Sequence, residues 1–269
     1  MKENMNTKVR GRKDLENLSI PFIGEIPQYL SAKKKLGFDK HTQSVMKAIV
    51  VKEGNRNIIN EAFRVLRSNI DFMAGKDSGQ NVFMLTSFNP GSGKSFLAMN
   101  IAMSFAIKKK RILVIDGDLR HGSTSSYVDS PKTGLSDYLG NRVSDWKEII
   151  VKDEKYDNLH IIPIGTVPPN PTELLEDGKL ATLIEVLRSE YDYIFIDCPP
   201  IDIVADAQII EKLADRTVFV VRSGLLDRSM LPELENIYQE KRFKNLSVIL
   251  NGTESAGGRY GYRYGYRYG

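Results

Sequence analysis

The sequence predicts an α/β fold, a doubly wound and mostly parallel sheet with helices on both faces. Continuous apolar runs alternate with helical segments from about residue 57 onward, the pattern of strands buried on both sides. Several of those runs end in glycine-rich or acidic residues, which is where ligands of such sheets bind. A chain of 269 residues, 41% of them hydrophobic, can supply the core of one large domain with or without an extension.

The elements follow in order. Residues 1–50 are irregular and basic. Within them SIPFIGEIP (19–27) reads as an extended segment docked on something, and SAKKKLGFDKHTQS (31–44) as a polar, mobile linker. Lys33 to Lys35 read as solvated or as facing an anionic membrane surface. Ile59, Phe63, Leu66, Ile70 and Met73 then fall at helical spacing, with Gly75 as the stop. NVFMLTSF (81–88) is a strand, followed by a glycine-containing loop and a helix over 95–109. RILVIDGD (111–118) and NLHIIPIG (158–165) are the next strands. A helix over 180–191 leads to the strand YDYIFIDCPP (191–200) and a helix over 206–214. RTVFVVRSG (216–224), a helix over 228–241 and the strand LSVILNG (246–252) complete the body. The chain ends in GGRYGYRYGYRYG, with Tyr260, Tyr262, Tyr264, Tyr266 and Tyr268 on every second position. Such a tail could form a strand face, bind nucleic acid through stacking and charge, or offer tethered hydroxyls to an enzyme.

Composition narrows the classes. The net charge is +4 and three of the positive charges lie in the tail, so the body is close to neutral and lacks the charge a nucleic-acid binder wants. A single cysteine, Cys198, allows no internal disulfide and reads as an inert, partly buried thiol. His41, His121 and His160 are too scattered for a metal cluster. No apolar run approaches 18 residues and the first residues lack an apolar signal region, so the expectation is a soluble, cytoplasmic chain.

Three strand ends carry chemistry. In TSFNPGSGKS (86–95), Gly93, Lys94 and Ser95 follow a strand and open a helix. Backbone N–H groups of such a loop converge on phosphate oxygens at the positive end of a helix dipole. Lys94 is placed to reach the terminal phosphates and Ser95 to bind Mg²⁺. The strict motif wants glycine five residues before Gly93 and finds Phe88, so Pro90 and Gly91 shape the loop instead, with Ser92 and Phe96 flanking the invariant residues. ILVIDGDLR (112–120) delivers Asp116 and Asp118, which share a face if the strand persists and otherwise sit in a turn. YIFIDCPP (193–200) ends on Asp197, suited to holding Mg²⁺ through water, before Pro199 and Pro200 break the strand.

Together, Pro90–Ser95, Asp116–Arg120 and Asp197–Pro200 resemble the bacterial tyrosine kinases, the BY-kinases. EAFRVLR adds that family's E-x-x-R-x-x-R helix at Glu61, Arg64 and Arg67, associated there with ring-shaped oligomers, expected to be octamers. A plain solvated i,i+3 pair is the other reading of that helix. The resemblance runs from about residue 50 to the end and implies a P-loop NTPase-like kinase domain over 51–252, using ATP and Mg²⁺, and a flexible tail over 253–269 whose tyrosines are the phosphoacceptors. It implies Asp116 as base, Asp118 and Asp197 with Ser95 as metal ligands, and Lys94 neutralising the transferring group; the roles of Asp116 and Asp118 could be exchanged. Arg120 pairs with a phosphate or with a carboxylate. GRKDLENLSIPFIGEIP resembles the basic linker that follows a transmembrane chain-length-control domain in fused members. The expected setting is therefore the cytoplasmic face of a bacterial inner membrane, in capsule or exopolysaccharide export. Expected partners are that membrane domain, or a separate membrane activator, and a tyrosine phosphatase, with no nucleic acid. The ParA/MinD-like switch ATPases share the fold, but they carry a second lysine at the position of Asn89 and lack a tyrosine tail.

Overall fold

The computed structural model describes residues 7–29, 48–75, 79–201 and 205–254. The 31–44 linker with Lys33 to Lys35, and the tail tyrosines Tyr260 to Tyr268, lie outside the described residues.

Eight strands form one sheet in the order β1-β8-β7-β2-β6-β3-β5-β4. They are β1 (Phe22–Pro27), β2 (Val82–Thr86), β3 (Ile112–Asp116), β4 (Val151–Lys152), β5 (Leu159–Ile162), β6 (Tyr193–Asp197), β7 (Arg216–Arg222) and β8 (Ser247–Thr253). Neighbours are parallel except for the short antiparallel edge pair β4–β5. Among the described residues seven α-helices accompany them: α1 (Ile58–Ala74), α2 (Lys94–Ala106), α3 (Leu135–Leu139), α4 (Pro171–Glu176), α5 (Lys179–Glu190), α6 (Asp206–Glu211) and α7 (Leu231–Gln239).

The two-residue period of the strands feeds two cores. Phe83 and Leu85 of β2, Val114 of β3 and Phe195 of β6 pack on the face covered by α1 and α2. Val82, Met84, Leu113, Ile115, Ile194 and Ile196 pack on the other face, against apolar residues of α3, α5, α6 and α7. Burying both faces is what makes the strands read as unbroken apolar runs. Helix α1 is capped by the Asn57 side chain and stops at Gly75, whose φ of 69° suits glycine. Helix α2 is buried almost all round, because the sheet lies under it and α1 packs beside it.

The expected strands and helices are present, most with shorter bounds, and α5 and β8 shifted by one residue. The run predicted over 111–118 leaves the sheet after Asp116: Gly117 N–H makes the last β3–β6 ladder bond, to the Asp197 carbonyl, and Asp118 then opens a turn, its carbonyl accepting from His121 N and Gly122 N. Within the helix expected over 228–241, the first residues form a 3-10 turn before α7. The docked segment at 19–27 lies on β8 as the parallel edge strand β1, and Val9, Leu15 and Ile20 join the core. Residues 7–29 therefore fold with the body they precede.

Candidate active site

The loop after β2 and the start of α2 form the floor of a cleft of about 390 Å³ lined by Gly91, Gly93, Lys94, Ser95, Phe96, His121 and Tyr127, among others. Gly91 and Gly93 have φ of 76° and 90°. At Gly93 a side chain is also excluded by space, since an added Cβ would lie 2.2 Å from Asn251 Nδ2. That amide, near the end of β8, donates to Ser92 O at 2.9 Å and ties the loop to a strand two places from β2 in the sheet. Ser92 Oγ donates to Asn89 O at 2.8 Å, closing the turn from inside, while Pro90 stays exposed. Phe96 packs edge-on against Phe63 of α1.

Sheet register brings the acids to this loop. Asp116 and Asp197 are paired residues of β3 and β6. Both carboxylates are buried. One oxygen of Asp197 accepts hydrogen bonds from Ser95 Oγ and from Thr124 Oγ1, the latter at 2.8 Å. One oxygen of Asp116 accepts from Ser125 N and Ser125 Oγ at 2.6 and 2.7 Å. The second oxygen of each has no hydrogen-bond partner among the described residues. Lys94 Nζ donates to Ser87 Oγ at 3.2 Å.

The electrostatics follow from burial. Asp116 is pushed up to about 8, first by burial and then by the charge of Asp197. Asp197 is raised by burial, against the opposing pull of Lys94 and the two hydroxyls. Lys94 is lowered by burial and partly restored by Asp197 and Asp118. Burial also raises the Tyr127 phenol. A cation bound here would favour the ionised form of both buried acids.

Orphaned carboxylate oxygens beside a serine hydroxyl and a phosphate loop fit a hard cation. No group of three or more His, Cys, Asp or Glu side chains converges among the described residues. A cation that shares its shell with phosphates and water needs only one or two carboxylates. Ser95 and Asp197 are the protein groups in contact with each other here, and Asp118 is close enough to act on Lys94. The carboxylate of Asp118 accepts from Arg120 N at 3.2 Å and meets His121 Nδ1 at 3.1 Å. Arg120 pairs with a carboxylate, that of fully buried Asp206, at 3.2 Å.

Several site residues escape sequence reasoning. Thr124 and Ser125 hold both acids, and their only sequence signal is the Ser/Thr run after Gly122. Ser87 and Asn251 carry none. On α1, Glu61 and Arg64 form an exposed ion pair, whereas Arg67 turns inward to donate to Ser104 O at 3.0 Å. Cys198 is fully buried and its thiol is pushed well up by burial. A larger cavity of about 980 Å³ opens at the opposite ends of β2, β3 and β6. Most charged and phenolic groups there are paired, Arg111 with Asp192, Arg188 with Asp215 and Tyr193 with Asp71.

Comparison with known proteins agrees with this geometry. Residues 80–226 match the AAA domain family. The tyrosine-protein kinase YwqD of Bacillus subtilis is 34% identical over 210 residues, 77% of this chain and 87% of that protein. A Klebsiella pneumoniae relative from a cps region is 34% identical over 90% of this chain but only 33% of its own length. The kinase domain of the Escherichia coli tyrosine kinase ETK superposes with a TM-score of 0.78 at 28% identity, covering 97% of this chain and all of that one. A MinD of Pyrococcus horikoshii shares the fold more distantly, with a TM-score of 0.52 at 20% identity over 67% and 72% of the two chains. With its phosphate loop, its paired strand-end acids and these relatives, the chain belongs to the bacterial tyrosine kinase family.

Proposed function

We propose that this chain transfers the terminal phosphoryl group of MgATP to tyrosine hydroxyls, its own Tyr260, Tyr262, Tyr264, Tyr266 and Tyr268 among them. The observation that carries this reading is the in-register pair Asp116–Asp197, each with one unpartnered oxygen, beside Lys94 and Ser95. Bound MgATP supplies the electrophilic phosphoryl group and the charge that stabilises its transfer. Ser95 and Asp197, with Asp118, hold the metal side. Lys94 lies where charge on the transferring group needs neutralising. A tyrosine of pKa about 10 is a weak nucleophile at neutral pH, and a carboxylate raised toward neutrality is matched to taking its proton once the bound cation favours its ionised form. Asp116 has that character and, held by Ser125, is the base.

Transfer in trans fits the reach of the tail. The stretch from Asn251 to Tyr260 spans at most roughly 30 Å when extended, long enough for a neighbouring subunit's cleft. Glu61 and Arg64 are the exposed groups of the proposed ring contact, with Arg67 behind them. Each phosphate adds about −1.5 to −2, so five add roughly −8 to −10 to a tail that carries three arginines. Repulsion among such tails loosens the ring. This cycle regulates capsule or exopolysaccharide export at the inner membrane, with a membrane partner either fused or separate and a phosphatase to reset it. Among the described residues no helix is long and apolar enough to cross a membrane.

The test is intact mass of the purified chain after phosphatase treatment and then Mg²⁺-ATP, beside Lys94→Met and a chain ending at Gly258. The expected result is a ladder of about 80 Da steps, absent from both variants. ATP binding without added phosphate would overturn the kinase reading in favour of a nucleotide-dependent switch.

A further inference from the structure

One charged group beside the phosphate loop has no role in the scheme above. Strand β7 ends on Arg222, paired in register with Asn251 of β8. The next residue of β8, Gly252, has a φ of 76°. A Cβ added there would lie 2.6, 2.7 and 2.9 Å from Cζ, Nε and Nη1 of Arg222. Near-equal distances to three atoms of one plane mean that the guanidinium lies flat over the Gly252 backbone. Its Nη1 lies 3.7 Å from the Cβ position of Gly93, so the group abuts the phosphate loop itself.

This guanidinium is partly buried. Among the described residues it has neither hydrogen bond nor ion pair, and burial alone shifts it, with no carboxylate acting in opposition. Arginine does not escape such a cost by losing its proton. Arg120, by contrast, faces Asp206 and Thr172. An unpaired cation held flat by a glycine that leaves room for it is built to meet something from outside.

Sheet order says which part of a nucleotide that is. The acids lie on β6 and β3, on one side of β2, whereas Arg222 and Asn251 lie on β7 and β8, on the other. A nucleotide crossing the loop with its terminal phosphate at Lys94 and Asp197 runs its nucleoside end toward β7 and β8. Resting on the nucleotide reading given above, we infer that Arg222 binds the nucleoside end of the nucleotide, its planar guanidinium stacking on the purine base. Planar cations stack on aromatic faces, and a lysine does not replace them there.

Calorimetric titration of the full chain with Mg²⁺-ADP and with Mg²⁺-pyrophosphate tests this directly, for the unaltered protein, Arg222→Gln and Arg222→Lys. Pyrophosphate probes the loop without a nucleoside. Both variants are expected to lose about tenfold in ADP affinity and to keep pyrophosphate affinity within about twofold. Two variants guard against loss of fold, and retained pyrophosphate binding reports an intact loop. Unchanged ADP affinity in both variants overturns the assignment. A parallel loss of pyrophosphate overturns it too, because Arg222 would then serve the phosphates or the loop. An unaltered protein that binds no ADP refutes the nucleotide reading itself, and this inference with it.

Discussion

Replacing Asp116 by asparagine should stabilise the metal-free protein, and more so as pH rises. In the fold, burial and Asp197 push the carboxyl from 3.8 up to about 8. A group raised in the folded state keeps its proton there after the unfolded chain has lost it, so stability drains away between about pH 4 and pH 8. A shift of about four units corresponds to about 5 kcal/mol as a ceiling. Asparagine retains an oxygen to accept from Ser125 N and Oγ, and it has no charge to desolvate. It also removes the like-charge contact between this position and Asp197. The assay is thermal unfolding of both proteins in chelator, from about pH 4 to about pH 9. The gap should open from near zero to about 2–5 kcal/mol, or about 5–15 °C for a chain of this size. Mg²⁺-ADP should narrow it, since a bound cation favours the ionised acid. A gap that stays constant with pH, or a variant that becomes the weaker protein at high pH, would refute the reasoning. Kinase activity should fall sharply in the same variant.

Three further outcomes follow from single contacts. Gly93→Ala should abolish ADP binding in calorimetry, because its Cβ would lie 2.2 Å from Asn251 Nδ2 at a φ of 90°. Asn100→Leu should destabilise by about 2–4 kcal/mol and speed hydrogen exchange at residues 48–52. Asn100 Oδ1 accepts from Val50 N and Val51 N while its Nδ2 donates to Ala48 O, so that strap is held to α2 by one side chain. Unchanged exchange at those amides would refute the strap. Cys198 should react with a thiol reagent only on unfolding, since it is fully buried and raised by its surroundings; rapid reaction in the native state would contradict that burial.

The short β4, α3 and α4 gave too little pattern to be read, but local pattern was enough to read the helix ending at Gly75, the order of the long strands and helices, and the phosphate loop. Each of these is set by residues a few positions apart: apolar spacing on α1, a glycine in the left-handed region, a loop that opens α2. Identity of the strand-end acids was legible for the same reason, because an acid after an apolar run stands out whatever the run pairs with. Their partnership was not. Asp116 and Asp197 are 81 positions apart and meet through β3–β6 register, which depends on how long strands align and not on either local sequence.

The same limit explains what was misplaced. Gly117 N–H closes the β3–β6 ladder on the Asp197 carbonyl, and the strand ends there because Asp118 opens a turn whose amides, of His121 and Gly122, return to its carbonyl. Arg120 had two plausible partners in sequence and took Asp206, brought near by α6. Ser125, Thr124 and Asn251 look like ordinary loop or strand residues until folding sets them against buried groups that need donors. Sequence alone determined the alternation of elements and the chemical groups the chain could bring to a site, since periodicity and turn chemistry are short-range. Tertiary structure alone decided which groups meet, which charges go unpaired and how far burial moves them, since desolvation and contact act between parts of the chain that have no local relation.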